Sequence, residues 1–373
     1  MTRKRELTDA ARAMLTGSEE DRIEFIQKNR WFGYASAREA LETMERLLAY
    51  PAVTRPLNFL LIADTNNGKT TIVERFEALH PAVDDPHAAR AERPVVLIPC
   101  PPGPDEGRFY NHMLKTLNAN YKVTDDVDKK LFQIQNLLRK LGTRLVIFDE
   151  IDNSIAGPLN KRHLLLNALR GLGKAIERPI VFTGTFEALL VLRDFRAMQN
   201  RFPPQVLPKW ELNEEFLQFL ISFEMTLPLK KASNLASEKL APMLFVMSGG
   251  LIGELCNLLK LAAEVAVRGV LVPSETEGEP PKRVRAERIT RALLLSLKWG
   301  APDLRDAAAS AAQDGVDIDT DYQKMVEQLL EELADGRLEL EESDPEEGET
   351  EEGDPDDAED PGTEEDSTDN EER

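Results

Sequence analysis

Four short apolar runs divide the first half of the chain. Each is rich in Val, Ile, Leu or Phe, and amphipathic stretches such as "GRFYNHMLKTLNANY" and "KRHLLLNALRGLGKAI" lie between them. Runs of this length and composition are typical of buried strands in a parallel sheet. Their alternation with helical patterns predicts an α/β domain of three layers. The four runs are "LNFLLIA" at 57–63, "PVVLIPC" at 94–100, "RLVIFDE" at 144–150 and "PIVFTGT" at 179–185.

The pattern is helical on both sides of this region. In "SAREALETMERLLAY" the apolar residues recur at helical spacing, and Ser36 three residues before Glu39 predicts a capping box. From about Trp210 the strand-like runs stop, and three helical stretches predict a smaller helical domain. The predicted segments are an N-terminal helical segment at 1–35, an α/β domain at 36–209, a helical domain at 210–270, a linker with C-terminal helices at 271–340 and a tail at 341–373.

The tail accounts for most of the net negative charge. Residues 341–373 hold 19 acidic residues and one basic residue, so the rest of the chain has a net charge of only -3 out of the total of -21. The tail contains no Leu, Ile, Val, Met or aromatic residue, and we expect it to be disordered because it cannot bury enough apolar surface. It either solvates the protein or mimics nucleic acid and screens a basic site.

Cysteine and histidine usage argues against a zinc site. Cys100 and Cys256 are far apart in the sequence and form no CxxC pair, and the four histidines form no HExxH pattern. This usage fits a reducing cytoplasm. We expect no signal peptide and no membrane span, since about 18 consecutive apolar residues occur nowhere.

A candidate phosphate-binding loop follows the first apolar run. The stretch "IADTNNGKTT" at 62–71 fits the pattern G-x-x-x-x-G-K-[ST] except that Ala63 replaces the first glycine. Its backbone amides can wrap a β-phosphate, Lys69 can reach the β and γ oxygens, and Thr70 can ligate Mg²⁺. Taken alone, the pattern is equally typical of a surface turn before a helix. The residues assigned to nucleotide binding are Thr65, Asn66, Asn67, Gly68, Lys69, Thr70 and Thr71.

Three later stretches of sequence supply the remaining chemistry of an NTPase. Asp149 and Glu150 end an apolar run, where the first can hold Mg²⁺ through water and the second can polarise the attacking water. Thr185, or alternatively Thr183, can hydrogen-bond that water or the γ-phosphate, although a threonine there can also simply cap the next helix. Arg201 in "QNRFPP" is a candidate arginine finger that would reach a neighbouring subunit.

These motifs occur in the order found in a known family. The segments "NRWFGYASAREAL", "NFLLIADTNNGKTTIVERF", "LVIFDEIDNSIAGPLNKRHLLLNALRGLG", "PIVFTGTFEAL", "RFPPQVLPKWELNEEFLQFLISFEMTLPL" and "SGGLIGELCNLLKLAAE" resemble the TniB/TnsC family of AAA+ transposition regulators over about 22–268.

The resemblance implies a prokaryotic, cytoplasmic ATPase that uses ATP and Mg²⁺ and assembles on duplex DNA as a ring or helical filament. Such a protein links a target-selecting protein of the TniQ type to a DDE transposase, and some relatives serve CRISPR-associated transposons. By the family pattern, Lys69 and Thr70 are the Walker A pair, Asp149 and Glu150 the Walker B pair, Thr185 the first sensor and Arg201 the finger.

Three departures from the family pattern are present. Ala63 replaces a glycine, the stretch "SGGLIGEL" of the helical lid lacks a second-sensor arginine, and Asp152 stands where the family often has histidine. We expect nucleotide binding to survive and hydrolysis to be slow.

The family implies that DNA is gripped through its phosphates on the inner face of the assembly. The candidate contacts are Lys122, Lys129, Lys130, Lys161 and Arg162, and each is also typical of a solvated surface residue. The basic stretch "KRVRAERITR" at 282–291 is a further DNA contact or a dock for the acidic tail. Two alternative functions stay open: a non-hydrolysing adaptor that uses nucleotide structurally, and another AAA+ role such as replication initiation or helicase loading.

Overall fold

The computed structural model describes residues 6–83, 91–195, 198, 200–272, 282–297, 299, 324 and 326–331. The predicted disordered tail at 341–373 lies outside these residues. Among those described, the strands are β1 Phe59–Ile62, β2 Val95–Pro99, β3 Leu145–Asp149, β4 Ile180–Gly184, β5 Pro204–Val206, β6 Val270–Val272 and β7 Lys282–Val284. The helices are α1 Asp9–Met14, α2 Glu19–Gln27, α3 Ala35–Leu48, α4 Lys69–Leu79, α5 Glu106–Thr116, α6 Val127–Lys140, α7 Ile151–Ile155, α8 Leu159–Ile176, α9 Phe186–Asp194, α10 Glu214–Met225, α11 Ala241–Ser248, α12 Ile252–Arg268 and α13 Arg291–Ser296.

Five strands form a parallel central sheet in the order β2-β3-β4-β1-β5. All four predicted runs are strands, and β4 lies between β1 and β3 in the sheet. Because the strands are parallel, their carboxyl ends meet at one edge, where Ile62 pairs with Gly184 and Pro99 with Asp149. Ligand sites in open α/β sheets form at this edge.

Helices cover both faces of the sheet, so the predicted three-layer α/β architecture is confirmed. Successive strand residues point to opposite faces. Leu61 and Ile147 belong to one apolar core together with α2–α4 and α10–α12, whereas Leu60 and Phe148 belong to a second core together with α5–α9. The two cores fix the sheet between two helical layers and hold its carboxyl edge in place.

The predicted capping box of Ser36 and Glu39 is wrong. Helix α3 begins at Ala35, with Tyr34 as its N-cap residue and no side-chain cap. Ser36 therefore lies inside the first turn. The amide of Ala35 donates instead to Glu215 Oε1 of α10 at 2.7 Å, so a tertiary contact satisfies one of the free N–H groups at the helix start.

Two sheet elements were not predicted. Strand β5 begins at Pro204, and proline within a run argues against a strand except at a sheet edge, which is where β5 lies. The amide of Leu207 extends its pairing by donating to Ile62 O at 2.7 Å. The antiparallel pair β6–β7 lies at the start of the 271–340 segment, for which a linker and helices were expected.

Within the described part of the chain, no single helix is long and apolar enough to cross a membrane. Helices α11 and α12 meet that criterion only as a pair, on length and composition, and they are bent by 118° relative to each other. Cys100 and Cys256 are both free thiols, as expected from their separation.

Candidate nucleotide-binding site

The loop between β1 and α4 has the backbone of a tight anion-binding turn. Positive φ angles occur at Asn66, with φ 61°, and at Gly68, with φ 85°, which is the N-cap residue of α4. Ala63 is fully buried, does not have a positive φ, and donates its N–H to Gly184 O at 3.2 Å. Alanine is accommodated at this position because the chain there still continues the strand, and the glycine-like conformations come later in the loop.

Lys69 lies in the first turn of α4 with its ammonium group folded over the loop. Its Nζ donates to Ala63 O at 2.6 Å and to Asp64 O at 2.7 Å, and the residue is only 8% exposed. Burial lowers the pKa of Lys69, and the nearby carboxylates of Asp152, Asp149, Asp64 and Glu150 act in the opposite direction. The ammonium group and the N-terminus of α4 together favour a bound polyphosphate.

Asp149 ends β3 and is held from both sides. Thr70 Oγ1 donates to Asp149 Oδ2 at 2.8 Å, and the hydroxyl of Thr183 on β4 donates to Asp149 Oδ1. Asp149 is 6% exposed and Thr183 is fully buried. A hydroxyl and a carboxylate this close together are the hard oxygen donors that Mg²⁺ takes beside substrate phosphates and water.

Glu150 follows Asp149 in the left-handed conformation, with φ 57° and ψ 57°. Its amide donates to Thr183 Oγ1 at 2.9 Å, and its Oε2 accepts from Asn153 Nδ2 at 3.0 Å. The side chain is exposed to the groove, unlike that of Asp149. A non-glycine residue in this strained conformation is a common feature of functional sites, and here it turns the carboxylate away from the sheet.

Thr183 and Thr185 have different surroundings. The hydroxyl of Thr183 both donates to Asp149 and accepts from the Glu150 amide, so it is occupied in holding the two acids. Thr185 is the N-cap residue of α9 but makes no side-chain cap, so the capping alternative is wrong. Its hydroxyl instead donates to Asp152 Oδ1 at 2.6 Å.

The lid helices α10–α12 contact the phosphate loop directly. The amide of Gly253 donates to Asn66 O at 2.9 Å, and Glu254 Oε1 accepts from Asn66 Nδ2 at 2.9 Å. Asn67 Nδ2 donates to the carbonyls of Leu207 and Pro208, both at 3.1 Å. Asn66 therefore attaches the phosphate loop to the lid, and Asn67 attaches it to the end of β5.

One groove of about 620 Å³ collects the predicted residues. It is lined by the seven loop residues assigned to nucleotide binding, Thr65, Asn66, Asn67, Gly68, Lys69, Thr70 and Thr71, and by Glu150, Asp152, Asn153, Thr185 and Glu254. Within the described residues there is no group of three or more His, Cys, Asp or Glu side chains that could hold a metal ion by itself.

A second cavity, of about 240 Å³, adjoins the loop on the other side of Gly68 and was missed by the sequence reasoning. The aromatic residues Trp31, Phe32 and Tyr34 line it from the chain before α3, and Ile252 lines it from the lid. The available signal was the aromatic cluster in "RWFGY", which precedes the phosphate loop by about 30 residues. An aromatic-lined pocket beside a phosphate site is suited to a nucleotide base.

Arg201 lies away from this groove. It precedes β5, whose first residue Pro204 pairs with Leu60, so Arg201 is at the amino end of the parallel strands. The phosphate loop leaves the opposite, carboxyl end of the sheet after Ile62. This placement suits a residue that acts on a neighbouring subunit.

The candidate DNA contacts differ in exposure and in whether their charged groups already have a partner. Lys122 and Lys161 are exposed, and Lys129 Nζ pairs with Asp125 at 2.7 Å. Arg162 donates to the backbone carbonyl of Ile155 at 2.9 Å, which uses part of its guanidinium group.

Lys130 is 3% exposed and donates to Val123 O at 2.8 Å, so the expectation that it contacts DNA is wrong. In the basic stretch at 282–291, Arg285 pairs with Glu19, and Arg291 pairs with Glu327 at 3.5 Å.

Solved structures with the same fold share little sequence with this chain. The Orc1 protein of Aeropyrum pernix in complex with DNA is 18% identical, with 78% of this chain and 71% of that chain covered and a TM-score of 0.50. Cdc6p of Pyrobaculum aerophilum is 15% identical with a TM-score of 0.48, and this chain spans 65% of its length, while 65% of this chain is covered. The Orc1 match shows that the two chains share a fold.

Sequence comparison identifies the family. No curated protein matches the chain. The model of the bacterial TniB protein matches residues 22–212, slightly more than half of the chain. This protein therefore belongs to the TniB family.

Proposed function

We propose that this protein is an ATP-dependent regulator of DNA transposition that binds ATP with Mg²⁺ in the groove, oligomerises on duplex DNA and connects a TniQ-like target-selection protein to a DDE transposase. The observation that carries the proposal is the convergence of Lys69, Thr70, Asp149 and Glu150 at the carboxyl edge of the sheet, in a chain of the TniB family.

Nucleotide binding rests on the phosphate loop and the aromatic cavity. When ATP binds, the Lys69 ammonium group donates to phosphate oxygens in place of the carbonyls of Ala63 and Asp64. The backbone amides of the loop up to the start of α4 donate to the same phosphates. Trp31, Phe32 and Tyr34 receive the base in the adjoining cavity. Thr70 and Asp149 would hold a Mg²⁺ ion, which would supply positive charge beside the phosphates.

Hydrolysis rests on Glu150 and on residues that hold it. Its exposed carboxylate faces the groove and can accept a proton from the attacking water, while Thr183 fixes its backbone and Asn153 its side chain. Thr185 lines the same groove and is available to position that water. Arg201 would complete the site of a neighbouring subunit, since it lies at the opposite edge of its own sheet.

DNA binding is proposed for the exposed lysines of the layer formed by α5–α9. Lys122 lies before α6, and Lys161 lies in the first turn of α8, which packs against α6. We expect Lys122→Glu and Lys161→Glu to weaken binding to duplex DNA and to leave ATP binding unchanged. Lys239→Glu in the lid is the matched charge reversal, because Lys239 is also exposed. Equal DNA affinity for all three variants and the wild type would remove these lysines from the proposed interface.

Two measurements test the proposal as a whole. Phosphate release should be faster for the wild type than for Glu150→Gln, and electron microscopy with duplex DNA and a slowly hydrolysed ATP analogue should show rings or filaments. Monomers in the presence of both DNA and the analogue would contradict the assembly on DNA.

A second candidate is an adaptor that keeps its nucleotide intact. The observation that favours it is that the lid contacts the phosphate loop through Gly253 and Glu254 at the start of α12, in the stretch that lacks a second-sensor arginine. Equal background rates of phosphate release for wild type and Glu150→Gln, with ATP still bound, would favour this adaptor.

A further inference from the structure

Asp152 is an acidic residue of the groove to which the proposed reaction assigns no role. Its Oδ1 accepts two hydrogen bonds from Thr185, one from the hydroxyl at 2.6 Å and one from the amide at 3.2 Å. Oδ2 lies 3.1 Å from the same amide. Asp152 and Thr185 both line the groove that holds Glu150. The Asp152 carboxylate therefore accepts hydrogen bonds from both the hydroxyl and the backbone amide of Thr185, the N-cap residue of α9.

The direction of the hydroxyl hydrogen follows from the acceptor. An ionised carboxylate has lone pairs and no proton to give, so Thr185 must donate to Asp152. A threonine hydroxyl has one hydrogen, and that hydrogen is now used. Towards the groove, Thr185 Oγ1 consequently offers only lone pairs. It can accept a hydrogen bond from a water molecule, but it cannot donate one to a phosphate oxygen.

We propose that Asp152 is a positioning residue that turns the Thr185 hydroxyl into a hydrogen-bond acceptor for the attacking water. The inference rests on the proposed ATP hydrolysis and settles which of two roles Thr185 plays there. The water places one hydrogen on Thr185 Oγ1 and the other towards Glu150. This arrangement directs a lone pair of the water at the γ-phosphorus.

The step balances as a hydrolysis. The water oxygen forms a bond to the γ-phosphorus while the bond from phosphorus to the bridging oxygen breaks, and that electron pair leaves with ADP. The proton of the water that points at Glu150 passes to its carboxylate, and the products are ADP and inorganic phosphate. Thr185 and Asp152 exchange no proton and are unchanged at the end.

A purely structural role for Asp152 is the competing explanation, because its bond to the Thr185 amide also holds the first turn of α9. The variant Thr185→Val separates the two roles. It removes the hydroxyl and retains the amide that Asp152 accepts from. The variant Asp152→Asn retains an oxygen that can accept both bonds, whereas Asp152→Ala retains none.

The experiment measures kcat and KM for ATP hydrolysis, and the affinity for a fluorescent ATP analogue, in the full-length variants. We expect Asp152→Ala and Thr185→Val each to lower kcat about 10-fold or more, because a misplaced reactant loses rate steeply. Affinity for the analogue and KM should stay within about 3-fold, and Asp152→Asn should retain kcat within about 3-fold. The double variant Asp152→Ala/Thr185→Val should be no slower than Thr185→Val, because both changes remove the same hydrogen bond.

Three results would overturn the inference: unchanged kcat in Asp152→Ala, equal loss in Asp152→Asn and Asp152→Ala, or a further 10-fold loss in the double variant. If Asp152→Ala does not fold, Thr185→Ser against Thr185→Val decides, since serine keeps the hydroxyl and equal kcat for the two would refute the role. A wild type no faster than Glu150→Gln contradicts the proposed hydrolysis itself. That outcome is distinct from an active wild type whose Asp152 variants behave normally.

Discussion

A buried ion pair ties the N-terminal helices to the segment after the lid. The guanidinium group of Arg22 on α2 makes a bidentate contact with the Glu287 carboxylate and donates from Nε and Nη2 to Pro228 O at 3.0 and 2.7 Å. The side chains are only 5% and 10% exposed. Replacing Arg22 by Met keeps the apolar stem and removes every one of these donors.

The cost follows from what remains around Glu287. Removing one partner of a buried pair typically destabilises a protein by about 3–5 kcal/mol. Lys230 stays close, with Nζ 3.8 Å from Oε1 and its amide 3.4 Å from Oε2, so part of the charge keeps a weak partner. We therefore expect about 3 kcal/mol for Arg22→Met. The control Lys28→Met breaks the exposed pair with Glu24 and should cost no more than about 0.5 kcal/mol.

The assay is urea unfolding followed by circular dichroism and tryptophan fluorescence, with midpoints and m values compared across pH. Burial alone raises the pKa of Glu287, but the hydrogen bonds and charge of Arg22 outweigh it, so the pKa lies below its ordinary value. The stabilisation from the pair is therefore present above the unfolded-state pKa of about 4.3 and is lost as the pH falls through the lower folded value.

The deficit of Arg22→Met relative to the wild type should therefore shrink as the pH falls from about 4.3 towards the lower folded pKa of Glu287 in the wild type. A deficit at pH 7 no larger than that of Lys28→Met would refute the reasoning. So would a deficit that does not change with pH.

Three changes around the groove give further tests. Gly253→Ala should weaken ATP binding about 10-fold, because the added Cβ would lie 2.1 Å from Asn66 Oδ1 and 2.4 Å from Asn66 O and would force the lid off the loop. The control is Gly171→Ala, which has open space around it. It should raise the free energy of unfolding by up to about 1 kcal/mol and leave the affinity for ATP unchanged. Ala63→Gly should leave the dissociation constant for ATP within about 3-fold, since Ala63 already has an ordinary backbone conformation, and a large gain in affinity would show that its methyl group is costly. Thr183→Val should lower kcat about 100-fold with ATP still bound, because Asp149 and the Glu150 amide lose their shared partner, and a normal kcat measured by phosphate release would contradict this.

Much of the site could be predicted from local sequence, because each part is a short element with a characteristic pattern of residues. A β-branched apolar run followed by "TNNGKTT" predicts a strand, a tight turn and a helix start in adjacent positions, and the parallel sheet then brings the ends of β1, β3 and β4 together. Local patterns were sufficient here because burial of the runs and the parallel order decide the geometry of the edge. The position of β4 between β1 and β3 was not predicted, because strand order depends on how distant segments pair.

Features that depend on contacts between distant segments were missed or misjudged. The start of α3 is set by Glu215, a residue about 180 positions away, so the Ser36 pattern was misleading. Lys130 was predicted to be exposed, but its aliphatic stem is buried while its ammonium group reaches Val123 O.

The sequence alone determined the α/β class, the order of the motifs and most of the residues that line the groove, because these follow from periodicity and chain connectivity. Only the tertiary structure decided what each polar group bonds to. It showed that Thr183 holds Asp149 and Glu150, that Thr185 gives its hydrogen to Asp152, and that the lid rests on Asn66. The physical reason is that a hydroxyl or amide has few hydrogens to donate, and which acceptor receives them is settled only when separate elements pack together.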